Sequence, residues 1–138
     1  MKLFHGSQEN IATISASGDF GGLFASTSEA SALSHGNVLH TIEAPRVLTD
    51  YELNYEAEGA WEAALELCDG NEEKAEAIMS AGCEALDSCD PEDIAEQGLE
   101  LQRLRGALAA RLGFDAVEMI DEHGTTYLCL PSCKISAA

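Results

Sequence analysis

Basic residues are scarce in this chain: 7 Lys and Arg stand against 25 Asp and Glu, for a formal net charge of −18 over 138 residues. That shortage excludes direct nucleic-acid binding, because phosphate contacts need cations. It excludes anionic membrane surfaces for the same reason. Long apolar runs are also missing, and the mean hydropathy is −0.07, so no segment is expected to cross a bilayer. The first residues, Met1-Lys2-Leu3-Phe4-His5-Gly6-Ser7, hold too short an apolar stretch and no small-residue cleavage site for a signal peptide. A cytoplasmic protein is therefore expected. The cysteines, Cys68, Cys83, Cys89, Cys129 and Cys133, are odd in number, which points to reduced thiols rather than a disulfide framework. No metal motif is present: Cys129 and Cys133 lack zinc-knuckle spacing, and His5, His35, His40 and His123 are scattered. A nucleotide Gly-rich loop and a defensible Ser-His-Asp order are missing too.

What remains is a chain able to bury a core. Hydrophobic residues make up 46% of it, and its length suits one domain spanning residues 1–138. The acidity has two readings. It can steer the protein toward a basic partner over about one Debye length, roughly 8 Å in physiological salt, or it can serve solubility alone.

The pattern along the chain predicts an α+β fold, a mainly antiparallel sheet with a helical insert. Leu3-Phe4-His5 begins a strand, and Gly6-Ser7 ends it. Gly18-Asp19 and Gly21-Gly22 are turn signals, and Leu23-Phe24-Ala25 reads as a short buried strand. Ser28 is a helix N-cap residue, with Gly36 as the stop. Val38 to Ile42 alternates as a strand that Pro45 ends. In the middle, Trp61, Ala64, Leu65 and Cys68 mark one helix face, broken at Asp69-Gly70. Ala75, Ile78, Met79, Cys83 and Leu86 mark a second helix. After Asp90-Pro91, an N-cap with Pro at the first helical position, Leu101, Leu104, Leu108 and Leu112 line a third, closed by Gly113. Ala116–Ile120 and Thr126–Leu130 form a hairpin around Glu122-His123-Gly124.

Four features could carry chemistry. At His5-Gly6-Ser7, glycine lets a ligand approach backbone groups that can grip an amide. Phe24 to Ser28 runs from a strand into a helix start, and its hydroxyls and free N–H groups suit a polar or anionic ligand. His35 comes one helix length later. Glu118, Asp121, Glu122 and His123 cluster at the final hairpin. Each also has a purely structural reading. His5 can be a hydrogen-bonded strand histidine, Ser26 and Ser28 a cap and its neighbour, and His35 a helix-end residue. Acidic residues are common at hairpin turns. The residues alone therefore reach a small acidic α+β domain with a candidate amide- and hydroxyl-rich cleft.

A strand ending in His-Gly-Ser, then Phe24-Ala25-Ser26-Thr27-Ser28, then a strand pair carrying a carboxylate resembles the ADP-ribosyltransferase superfamily. More narrowly, the chain resembles the type I-F anti-CRISPR ADP-ribosyltransferases of phages along almost its whole length. The stretches that carry this are Leu3–Ser7, Phe20–Phe24, Ala32–Gly36, Leu48–Tyr51, Glu100–Gly106 and Asp121–Thr126. The resemblance implies split antiparallel sheets with an NAD cleft and a helical insert. It implies NAD as co-substrate, without a metal. It places the cofactor on His5, Gly6, Ser7, Phe24, Ser26, Ser28 and His35, with His35 where many relatives carry a stacking tyrosine. The superfamily's usual catalytic glutamate position is Thr126 here, before Tyr127. The narrower resemblance points instead to Asp121, with Glu118 and Glu122 as neighbours able to share the role. It further implies transfer of ADP-ribose to the basic, DNA-recognising large subunit of the type I-F CRISPR surveillance complex, blocking target recognition. The rival reading is a non-catalytic acidic mimic of DNA.

Overall fold

The computed structural model describes residues 1–15, 21–55, 57–80, 94–121 and 124–138, with backbone alone at 80, 94–99, 120, 121 and 124. Two sheets form its frame. The first contains β1 (Lys2–Ser7), β3 (Val38–Glu43) and β7 (Lys134–Ala137) in the order β1-β3-β7, all antiparallel. The second contains β2 (Leu23–Ala25), β4 (Val47–Leu48), β5 (Ala116–Asp121) and β6 (Gly124–Cys129) in the order β2-β6-β5-β4. Only β4 runs parallel to its neighbour, β5.

Strand alternation gives the second sheet two working faces. Val117, Met119 and Leu128 pack with the helices α3 (Ala60–Leu67), α4 (Glu72–Ser80) and α5 (Ile94–Arg111). Ala116, Tyr127 and Cys129 turn the other way, onto Leu3 and Ile42 of the first sheet. Two cores thus share one sheet, the expected split-sheet α+β arrangement.

Two helix ends show capping chemistry. Ser28 caps α1 (Glu29–Leu33), its hydroxyl accepting from the Ser31 N–H at 3.2 Å. Gly113, at φ +87°, closes α5, and the Phe114 N–H returns to the Ala109 carbonyl at 2.9 Å. Gly36 is not the stop of α1, whose last turn ends at Ser34. A side chain there would strike the Ser7 backbone, 2.3 Å from the Cβ position, so glycine is required for close packing rather than for capping. Trp61 lies off the buried face of α3 and is 39% exposed; Ala60, Ala63, Ala64 and Cys68 are the buried stripe. Three short elements carry too little pattern to be read from sequence: β4, β7 and α2 (Asp50–Tyr55). Cys68, Cys129 and Cys133 are free, buried thiols. Gly18-Asp19, Cys83, Leu86, Asp90-Pro91, Glu122 and His123 lie outside the described residues.

Candidate functional site

Among the described residues, backbone hydrogen bonds join the two sheets at one rung. The Phe4 N–H donates to the Ser26 carbonyl at 2.7 Å, and the Ser26 N–H donates to the Phe4 carbonyl at 2.9 Å. Beyond it β1 and β2 diverge and open a cleft of about 720 Å³. His5, Gly6, Phe24, Ser26 and His35 line this cleft. Five of the residues singled out by sequence, from β1, β2, the start of α1 and its far end, are thereby brought together. Ser7 and Ser28 stand just outside. Ser7 donates its hydroxyl to the Glu9 carbonyl. Ser28 is occupied as the α1 cap, and its N–H donates to the Ser26 hydroxyl oxygen at 3.1 Å.

His5 is held in one orientation. Its Nδ1 sits 2.5 Å from the Phe24 carbonyl oxygen, which can only accept, so Nδ1 carries the hydrogen. Nε2 is then an acceptor in the neutral ring, without a partner among the described residues. Behind it, His40 is fully buried and satisfied at both nitrogens. Its Nδ1 donates to the His5 carbonyl at 3.3 Å, and its Nε2 accepts from the Ile11 N–H at 2.9 Å. His40 is thus a strut for β1, the structural role that the sequence also leaves open for His5.

Gly6 departs from its expected reason. A Cβ at Gly6 would lie 1.9 Å from the Ala32 carbonyl oxygen and 3.1 Å from that of Gly36. The side-chain direction faces the backbone of α1, not the open cleft. Glycine here lets α1 close down on β1 and so sets the cleft wall. Gly6→Val is expected to cost about 3 kcal/mol of stability through overpacking, read as a lowered melting temperature in calorimetry. A variant as stable as the parent would show that α1 yields freely.

At the opposite wall, Thr125 and Thr126 of β6 and Gln102 of α5 complete the cleft. Gln102 escapes a reading by sequence because a lone glutamine beside a leucine stripe looks like a solvated helix position. Asp121 ends β5, its backbone paired with Gly124 at the start of β6, one residue before those threonines; its side chain, Glu122 and His123 lie outside the described residues. Glu118 is engaged elsewhere. One oxygen accepts from the Asp50 N–H at 3.1 Å, the other from the Tyr127 hydroxyl at 3.4 Å. Burial, and then the Glu118 charge, push the Tyr127 phenol above its ordinary range.

The same corner holds Arg105, which is 1% exposed. Its guanidinium donates to the Ile78 and Met79 carbonyls, both at 2.8 Å, to Asp50 Oδ1 at 2.8 Å and to the Glu118 carbonyl at 3.3 Å. Burial pulls its pKa down, and the Asp50 carboxylate counters that. Among the described residues, no group of three or more His, Cys, Asp or Glu is placed to hold a metal ion.

Comparison with known proteins adds a family match and a structural match. A family model described as anti-CRISPR type I-F ADP-ribosyltransferase AcrIF11 matches residues 1–138. A solved structure described as the crystal structure of an anti-CRISPR protein superposes with a TM-score of 0.89. It is 56% identical, over 100% of this chain and 95% of that one. No curated protein sequence matches at a significant level.

Proposed function

The chain belongs to the anti-CRISPR type I-F ADP-ribosyltransferase family, and from that premise we propose that it transfers ADP-ribose from NAD to a side chain of the DNA-recognising large subunit of the type I-F surveillance complex, blocking recognition of target DNA. The observation that carries this reading is the convergence of His5, Gly6, Phe24, Ser26 and His35 on one cleft. Its polar groups suit a nucleotide amide and ribose. His5 offers a fixed acceptor at Nε2, and Ser26, whose oxygen already accepts from the Ser28 N–H, keeps its hydroxyl hydrogen for donation. Phe24 and His35 offer flat faces for a ring.

NAD supplies an ADP-ribosyl group bonded to a good leaving group. The bond between nicotinamide nitrogen and ribose carbon breaks, and its electron pair leaves with neutral nicotinamide. A lone pair of the acceptor side chain forms the new bond to that carbon, and the acceptor's proton passes to a base or to water. Positive charge builds on the ribose on the way. We assign Asp121 to stabilise it, because a carboxylate with a reference pKa of about 3.9 is anionic at neutral pH. Glu122 is its neighbour in this role. Glu118 is disfavoured, since both of its oxygens are already bonded outside the cleft.

A net charge of −18 suits a DNA-binding, hence basic, acceptor surface. Among the described residues no helix is long and apolar enough to cross a membrane, and we place the reaction in the host cytoplasm. The test is intact-mass analysis of the purified surveillance complex after incubation with a substoichiometric amount of this protein, with and without NAD. One ADP-ribose on the large subunit, in the NAD arm alone, is expected. Unmodified complex whose DNA binding is blocked one-to-one without NAD would establish the acidic mimic instead.

A further inference from the structure

From Asp50 to Glu73 the chain carries acids and not one Lys, Arg or His. The first part of this stretch is α2. Thr49 caps it, its hydroxyl accepting from the Glu52 N–H at 3.1 Å. Leu53 anchors it in the helical core at 1% exposure. Tyr51 and Tyr55, four residues apart, share the other side of the helix. Their ring centroids lie 5.0 Å apart with the planes tilted by 40°, yet the residues are 62% and 78% exposed. Large paired aromatics left in water on a helix that has a core face available are not explained by folding.

The position of α2 gives this face a use. The Asp50 N–H and carboxylate tie the start of α2 to Glu118 and Arg105, so the helix is fixed beside β5 on its β4 side. The cleft lies on the other side of the same hairpin, along β6 and β2. On the transferase reading, an acceptor that arrives from the β4 side reaches the end of β5 without entering the nucleotide cleft.

We propose that Tyr51 and Tyr55 form a docking face for an arginine-bearing surface of the acceptor protein, guanidinium groups lying over the rings and pairing with nearby carboxylates such as Glu52. The proposal rests on the transferase reading for the chemical step after docking. Charge selects the occupant. An apolar partner would have to strip water from those carboxylates without pairing them, and a second copy of this chain would bring like charge to like. Arginine fits because its planar cation stacks on an aromatic face and pairs with a carboxylate at once.

Two double variants test this. Tyr51→Leu with Tyr55→Leu keeps apolar bulk but removes the ring faces; Tyr51→Phe with Tyr55→Phe keeps the faces and removes the hydroxyls. Binding to the purified type I-F surveillance complex is measured without NAD by interferometry. Hydrolysis of NAD to free ADP-ribose is measured separately, without any protein acceptor. The leucine pair is expected to weaken binding about tenfold, with hydrolysis and melting temperature unchanged, and the phenylalanine pair to bind within about twofold of the parent. Parental binding by the leucine pair overturns the proposal. An equal loss in both pairs overturns it as well, since hydroxyls rather than faces would then make the contact. Failure of the parent protein to cleave NAD or label the complex counts against the transferase reading, while the binding comparison still decides the docking face.

Discussion

Asp121→Asn is expected to slow NAD-dependent labelling by about two to three orders of magnitude while leaving the fold intact. The substitution keeps shape and removes one negative charge. A carboxylate about 4 Å from a developing positive charge, at an effective dielectric near 20, contributes on the order of 4 kcal/mol, about a thousandfold in rate. The place in the fold agrees with that task. β5 ends at Asp121, and the strand paired with it enters the cleft wall through Thr125 and Thr126. Single-turnover labelling rates for the purified variant measure the effect. Near-normal rates would transfer the role to Glu122 before Glu118, whose carboxylate already has two partners.

Arg105→Met should remove about 3–5 kcal/mol of stability, an effect on folding rather than on chemistry. Arg105 donates to two carbonyls near the end of α4, to the Asp50 carboxylate and to the β5 backbone. Methionine fills similar space and donates nothing, so the Ile78 and Met79 carbonyls lose their donor in a dry interior. Urea unfolding of parent and variant gives the difference directly. Neutralising Asp50 as well should not restore the loss, because the two carbonyls stay unserved. Full rescue in the Arg105→Met, Asp50→Leu double variant would show that the ion pair alone matters.

Strand and cap signals are legible where local chemistry decides the structure. Ser28 caps α1 because its side chain competes for the first free N–H groups, and the final hairpin emerges from two strand-like runs on either side of the turn signal Glu122-His123-Gly124. The clustering of His5, Phe24, Ser26 and His35 is legible only through resemblance, since nothing in their spacing brings β1 to β2. The short elements β4, β7 and α2 escape because two to six residues cannot display a period. Arg105 is readable in principle. With Leu101, Leu104 and Leu108 it completes the i, i+3, i+4, i+7 stripe of α5, and a cation in that stripe is unusual in a chain with 7 basic residues. Trp61 misleads because its size suggests a core position, whereas alanines pack α3 closely against its neighbours. The reason for Gly6 depends on where its missing side chain would point, which only tertiary structure specifies.

The single rung between Phe4 and Ser26, braced by the His5 bond to the Phe24 carbonyl, also bears on how a ligand is met. A cleft whose walls are already fastened at their vertex spends little ordering entropy when it fills. Recognition can then proceed as a rigid key-and-seat event, limited by diffusion and desolvation rather than by a slow closing step. For the transfer reaction proposed above, such a joint leaves the cleft in shape before NAD or acceptor arrives.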